Sequence, residues 1–295
     1  MHVLPPGGPG ASGPRGRSGP RRRRPVLACV LAALLALSGA LAACSSAQDS
    51  GDHTIRIGIK FDQPGMGLKD GNRYTGFDAD MGRALAAELG YSEDEIIWVQ
   101  TVSAQRETML ANGQVDMILA TYSITEARRQ KITFAGPYFV AGQDLLVAED
   151  SDITGPDDLD GRILCSVEGS TSAQTIREDY SETVQLFPVR TYAQCVEFLA
   201  AGTVDAVTTD DIILAGFAAQ PLYSGTMRLV GQTFTEEQYG VGLPKDSPRC
   251  QDISAAITRL IEDGTWERLL AENVGASFTP NPELNPPTVD PGLCE

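Results

Sequence analysis

The chain has 295 residues, 42% of them hydrophobic, with 39 acidic and 23 basic side chains and a net charge of −16. A surface this acidic repels phosphate backbones and anionic lipid headgroups, which excludes nucleic acid as a partner and requires that any acidic ligand be held by local basic groups. Both histidines, His2 and His53, lie outside the segment that reads as folded, and no two cysteines are spaced as C-x-x-C, so no metal or other cofactor is expected.

The first 43 residues read as an address. Arg21 to Arg24 precede an apolar run, Val26 to Ala43, which Ser38 and Gly39 interrupt, which falls short of a membrane span, and which ends in small residues. A leader removed on export is therefore expected. The run closes on Leu41-Ala42-Ala43-Cys44, which resembles the lipobox of bacterial lipoproteins. That resemblance implies a lipidated Cys44 as the mature N-terminus, anchored to the outer face of the cell membrane. Residues 44–53, with Ser, Asp and Gly and no apolar surface to bury, read as a flexible tether. Six of the 23 basic residues and no acidic one precede Cys44, so the exported part is more acidic still.

From residue 54 the periodicities change. Ile55, Ile57 and Ile59 alternate with polar or small residues and predict a strand; Phe77, Met81, Ala84, Leu85 and Leu89 recur at helical spacing and end at Gly90. Ile96 to Val99 reads as a strand, Ser103 as the cap of a helix to Asn112, and Val115 to Ala120 as a short buried strand. This alternation is an α/β signature. The segment Met109 to Ile118 is then echoed by Phe198 to Val207: a helix end, a glycine, an apolar strand with an aspartate at its head. Each copy opens into polar residues, Thr121-Tyr122-Ser123 and Thr208-Thr209-Asp210, and two similar α/β lobes are implied. The second lobe has strands predicted at Arg162 to Val167 and near Val184 to Phe187, with helices from about Ser170 and from Tyr192 to Ala201. A strand at Gln238 to Leu243, helices at Pro248 to Gly264 and Thr265 to Gly275, and a proline-rich end from Thr279 follow. Open α/β sheets bind ligands beyond the carboxyl ends of their strands, so a crevice between two such rims is the expected binding place.

Thr121-Tyr122-Ser123-Ile124-Thr125-Glu126-Ala127-Arg128-Arg129 and Ile132-Thr133-Phe134-Ala135-Gly136-Pro137-Tyr138-Phe139 resemble the signature of polar amino-acid (family 3) solute-binding proteins of ABC importers. Gly76-Phe77-Asp78, Glu168-Gly169-Ser170-Thr171, and Val204-Asp205-Ala206 leading to Asp210 fall in the same family order, over about Ile55 to Gly275. Lys60 to Gly65 and Ala141 to Asp144 look closest to the glutamate-binding branch. The resemblance implies a two-lobed periplasmic-binding-protein type II fold, with lobe 1 from 54–147 and 239–295, lobe 2 from 148–238, and crossovers near Leu146–Glu149 and Glu237–Tyr239. Beyond Cys44 four cysteines remain, which allow three pairings. Cys165–Cys195 and Cys250–Cys294 are expected, since each pair then lies within one lobe.

The same resemblance implies a ligand set. Arg128, on a short helix that Thr125 can cap, is the clamp for an α-carboxylate, which suits a bidentate guanidinium. Arg129 beside it points elsewhere. Ser170 and Thr171 stand at a helix start that suits the same anion from the opposite lobe. Asp210, with Asp211 as rival, takes the ammonium, and Ser123 and Thr121 complete the contacts. Lys60, with Arg106 as second candidate, meets an acidic side chain. Gln63 stands where family members that take larger amino acids carry an aromatic residue, which argues for a small polar ligand, and Trp98 and Phe77 read as core. The expectation is a monomeric, non-enzymatic protein that captures glutamate or aspartate for separate permease and ATPase subunits. The alternatives are a binder of glutamine or another polar amino acid, a ligand-sensing partner of a receptor, and a dehydratase-like enzyme on the same fold. The last lacks a histidine inside the fold and any G-x-S-x-G or P-loop motif.

Overall fold

A computed structural model describes residues 53–180 and 183–295; the leader, Cys44 and the tether up to residue 52 lie outside the described residues. In chain order the elements are β1 (Ile55–Ile59), β2 (Asp62–Gln63), β3 (Gly67–Asp70), β4 (Arg73–Thr75), α1 (Phe77–Glu88), β5 (Ile96–Gln100), α2 (Arg106–Ala111), β6 (Met117–Ile118), α3 (Glu126–Arg129), β7 (Thr133–Ala141) and β8 (Gln143–Ala148). There follow β9 (Ile163–Val167), α4 (Ser172–Thr175), β10 (Gln185–Val189), α5 (Tyr192–Ala200), β11 (Ala206–Asp210), α6 (Asp211–Ala218), β12 (Met227–Leu229), β13 (Glu237–Leu243), α7 (Cys250–Glu262) and α8 (Thr265–Val274).

These elements form two five-stranded sheets, ordered β5-β1-β6-β13-β7 and β10-β9-β11-β8-β12, and a small antiparallel sheet β2-β3-β4. In the first, β5, β1 and β6 run parallel and β13 and β7 close the sheet antiparallel. The second repeats the plan, with β10, β9 and β11 parallel, β8 antiparallel to β11, and β12 antiparallel to β8 at the edge. The alternation in β1 does what its pattern predicts: Ile55, Ile57 and Ile59 are all buried, and each removes enough apolar surface to contribute about 2 kcal/mol.

The echoed segments turn out to be the same joint built twice. Gly113 and Gly202 both adopt positive φ, 63° and 67°, which glycine accepts without steric cost and which stops α2 and α5. Asp116 then accepts the backbone N–H of Arg56 at the head of β1 (2.8 Å), and Asp205 accepts that of Ile163 at the head of β9 (2.7 Å). In each lobe one carboxylate thus locks the end of the central strand to its neighbour.

The chain changes sheets earlier than expected. Leu145-Leu146-Val147 is an apolar run that suits either sheet, but β8 pairs antiparallel with Ala206–Asp210, so the first crossing falls at Gly142 and not beyond 147. The return lies between Leu229 and Glu237, just ahead of the expected position. Ser103 begins a 3₁₀ turn, and the α-helix starts only at Arg106. Disulfides join Cys165 in β9 to Cys195 in α5, and Cys250 in α7 to Cys294 in a 3₁₀ turn at Pro291–Cys294. With separations of 30 and 44 residues, each lowers the entropy of the unfolded chain by an amount worth about 4 kcal/mol.

Candidate ligand-binding site

The carboxyl ends of β1, β6, β9 and β11 face one another across the lobes. Between them lies about 260 Å³ not occupied by atoms, open solvent at the mouth included, of which about 20 Å³ admits the centre of a water molecule. The walls carry Arg128, Ser123, Thr121 and Arg106 from the first lobe and Ser170, Thr171 and Asp210 from the second. Lys60 is not in the lining. It is only 3% exposed and stands behind Ser103, whose hydroxyl accepts its Nζ–H at 2.9 Å; Ser103 itself forms wall. Asp211, the rival for an ammonium, turns away to accept the backbone N–H of Gly142.

Arg128 is placed by a capped turn. Thr125 Oγ1 accepts the Arg128 backbone N–H, which starts the four-residue α3 and aims the side chain back toward the strand ends. Its guanidinium donates to the carbonyls of Ser123 (2.7 Å) and, across the cleft, of Gly169 (3.3 Å), and is only 8% exposed as a residue. Arg129 stays at the surface, near Glu126 and the Gly292 carbonyl. Arg128 and Arg106 both lie over the ring of Tyr122, at 5.0 and 4.0 Å from its centroid, and the Tyr122 hydroxyl donates to Glu107. Two guanidiniums are thus held side by side by one aromatic face, a cation–π arrangement that strengthens as water is excluded. Arg106 donates from NH1 to the Ala120 carbonyl, while its buried Nε has no partner.

The electrostatics reflect this crowding of buried charge. Burial, with Arg106 nearby, lowers the Lys60 ammonium to about 7, and burial beside Arg128 lowers Arg106 to about 10. On the facing lobe, burial and the neighbouring Glu237 push the Asp210 carboxyl well above the usual carboxylate range. Its Oδ2 accepts a very short hydrogen bond from the Tyr239 hydroxyl, and its side chain makes no capping bond to α6. Thr121 takes a left-handed φ of 46° and donates its N–H to buried Asp78, which also accepts the Tyr138 hydroxyl. Burial raises Asp78 to about 6. Phe77 is core, against Trp266 and Phe139, and Trp98 stacks on Tyr74.

Several lining residues were not anticipated. Tyr192, Thr209, Ser172 and Ile213 complete the second lobe's wall. The Tyr192 hydroxyl sits among those of Ser170, Ser172 and Thr209. Thr209 belongs to the polar rim expected at the end of β11, though no ligand contact was assigned to it, and Ser172 adjoins Thr171; nothing local marks Tyr192, which the α5 start delivers from a distant segment.

The site therefore presents guanidiniums on one lobe and a carboxylate on the other, with hydroxyls between, a pattern that fits a zwitterion. Comparison with known proteins agrees: residues 55–276 match the model of the bacterial extracellular solute-binding proteins, family 3. The chain belongs to that family. Family 3 relatives include the glutamate-binding protein GluB of Corynebacterium glutamicum, 46% identical over 75% of this chain and 79% of its own length. A glutamine-binding protein of Geobacillus stearothermophilus is 39% identical over 65% of this chain and 72% of its own. Among solved structures, an ancestral arginine-binding protein bound to glutamine superposes with a TM-score of 0.70 at 30% identity, covering 76% of this chain and 98% of that one. The family is one of binding proteins and not of enzymes, and its members act outside the cell membrane. Among the described residues no helix is long and apolar enough to cross a membrane.

Proposed function

We propose that this protein captures glutamate between its lobes and presents it to an ABC importer. The observation that carries this reading is the surplus of cation at the first lobe: Arg128 and Arg106 line the wall with Lys60 behind Ser103, three basic groups against Glu107, 3.5 Å from Arg128, and Asp210 on the facing lobe. A neutral amino acid needs one cation and one anion. The additional positive charge favours a ligand with a second carboxylate. In this reading Arg128, Ser123 and Thr121 hold the α-carboxylate from one side and Ser170 and Thr171 from the other; Asp210 takes the ammonium, and Arg106, with Lys60 behind Ser103, faces the side-chain carboxylate. Because the contacts come from both lobes, they are complete only when the cleft closes, and ligand shifts the population toward the closed form. The relation to GluB supports both the ligand and the transport role. Anchoring through lipidated Cys44 would hold the binder beside its permease, with ATP hydrolysis in a separate subunit and the binder acting as a monomer.

The test is calorimetric titration of glutamate, aspartate, glutamine and a neutral amino acid into the wild-type chain and Arg128→Ala. Removing one partner of a buried charge pair costs about 2–5 kcal/mol, so the variant is expected to lose at least thirtyfold in affinity. Unchanged glutamate affinity in the variant, or a wild-type preference for glutamine, overturns the assignment of the clamp or of the ligand, respectively.

A further inference from the structure

The family match ends at residue 276, yet the chain continues as an ordered segment to Glu295. That segment is tied to the first lobe along its whole length. Phe278 donates its backbone N–H to Val274 at the end of α8, Asp290 donates to the Gly136 carbonyl (2.8 Å), and Cys294 is disulfide-bonded to α7. Between these ties lies Asn285. Its side-chain amide pairs with both backbone groups of Val140, accepting its N–H at 3.0 Å and donating to its carbonyl at 2.8 Å. β7 is the outer strand of its sheet, so Asn285 satisfies an edge that otherwise faces away from the ladder.

Val140 is two residues from Gly142, where the chain leaves for the second lobe. The returning crossover packs directly against this point: a Cβ on Gly142 would meet Thr233 at 2.5 Å, and Gln143 pairs with Phe234 and Thr235. A depression of about 470 Å³ runs beside the two crossovers, and its other wall is Asn281 and Leu284 of the terminal segment. Opening and closing of the lobes is rotation about these crossovers, so an element fixed to one lobe and lying along them limits that rotation.

We propose that residues 277–295 are a strap that restrains the hinge, with Asn285 as its clasp and Cys250–Cys294 as its far fastening. The strap is pinned on one lobe and flanks the strands that must bend, so loosening it frees the second crossover, which Asn285 does not touch.

The experiment is hydrogen–deuterium exchange of the ligand-free chain, read by mass spectrometry over residues 230–236, in wild type, in Asn285→Ala, and in Cys250→Ser/Cys294→Ser. Loss of the clasp is expected to speed exchange there by roughly tenfold, with the disulfide variant changing in the same direction. Peptides from β9 and β10, remote from the strap, should exchange as in wild type. A response confined to residues 138–142 in Asn285→Ala overturns the proposal and leaves Asn285 as a cover for a strand edge. A rise throughout the second lobe overturns it as well, since that is general destabilisation. No ligand is needed, so failure here is distinct from failure of the glutamate assignment.

Discussion

Lys60 is an ammonium kept close to neutrality by its surroundings, and this makes its proton a reporter of the ligand's charge. Burial and Arg106 hold it at about 7 in the ligand-free chain. An anion in the cavity favours the charged form and raises that value, so at pH 8 the complex binds more protons at Lys60 than the free protein does. Glutamate affinity through this group therefore falls as pH rises above about 7. Titration at pH 8 in buffers of different ionisation enthalpy should show proton uptake in wild type that is absent from Lys60→Met; equal proton exchange in the two would mean that no anion settles near Ser103. The roles proposed for Arg128 and Asp210 rested on a motif and on the echoed strand, both short-range patterns. Tyr122 is one letter of that motif among others, and its work as a platform for two guanidiniums appears only once α2 and α3 are brought over the same ring. Lys60 was placed at a strand end by periodicity, but whether it faces the cavity or the wall behind Ser103 depends on the 3₁₀ turn that displaced the expected helix start.

At the scale of elements, the lobes meet through a helix and a loop that contact without side chains between them. Gly216 on α6 lies so close to Pro64, beside β2 of the other lobe, that an added Cβ would sit 2.1 Å from the Pro64 carbonyl oxygen. A second contact, by contrast, uses a side chain: the Asp62 carboxylate accepts the Ala193 N–H across the boundary. Gly216→Ala is expected to leave the separated lobes intact or stabilise them by up to about 1 kcal/mol, since alanine is the better helix former. Closure, in contrast, would be opposed by a cost of about 1–3 kcal/mol, lowering ligand affinity roughly five- to 150-fold. Thermal melts of the ligand-free variant and calorimetry with glutamate measure the two effects separately; unchanged affinity would mean that closure does not require this contact. The elements themselves were largely legible, because alternation in β1 and the glycine-stopped joints at Gly113 and Gly202 are local signals. The crossing at Gly142 was not, since the apolar Leu145-Leu146-Val147 of β8 suits either sheet and only the pairing with β11 assigns it.

For the whole molecule, an excess of acidic over basic side chains, 39 against 23 in the full chain, surrounds a cavity whose first wall is cationic. Distant surface charges are screened beyond about 8–10 Å at physiological salt, while buried groups are screened much less. Association of an anionic amino acid is therefore expected to quicken a few-fold when ionic strength rises from roughly 0.01 to 0.15 M, as the repelling field collapses before the attracting one. Stopped-flow mixing through the intrinsic tryptophan signal checks this, and slower association with added salt would show that the local cations dominate at range. The tightness of that cavity carries a further consequence. Only about 20 Å³ admits a water's centre and both lobes supply the walls, so a captured molecule is held by groups on two bodies at once. Residence time is then set jointly by gate and grip: parting the lobes breaks the contacts that bridge them, so congeners that reach both walls should linger, and those that reach only one should leave as fast as the empty cleft opens.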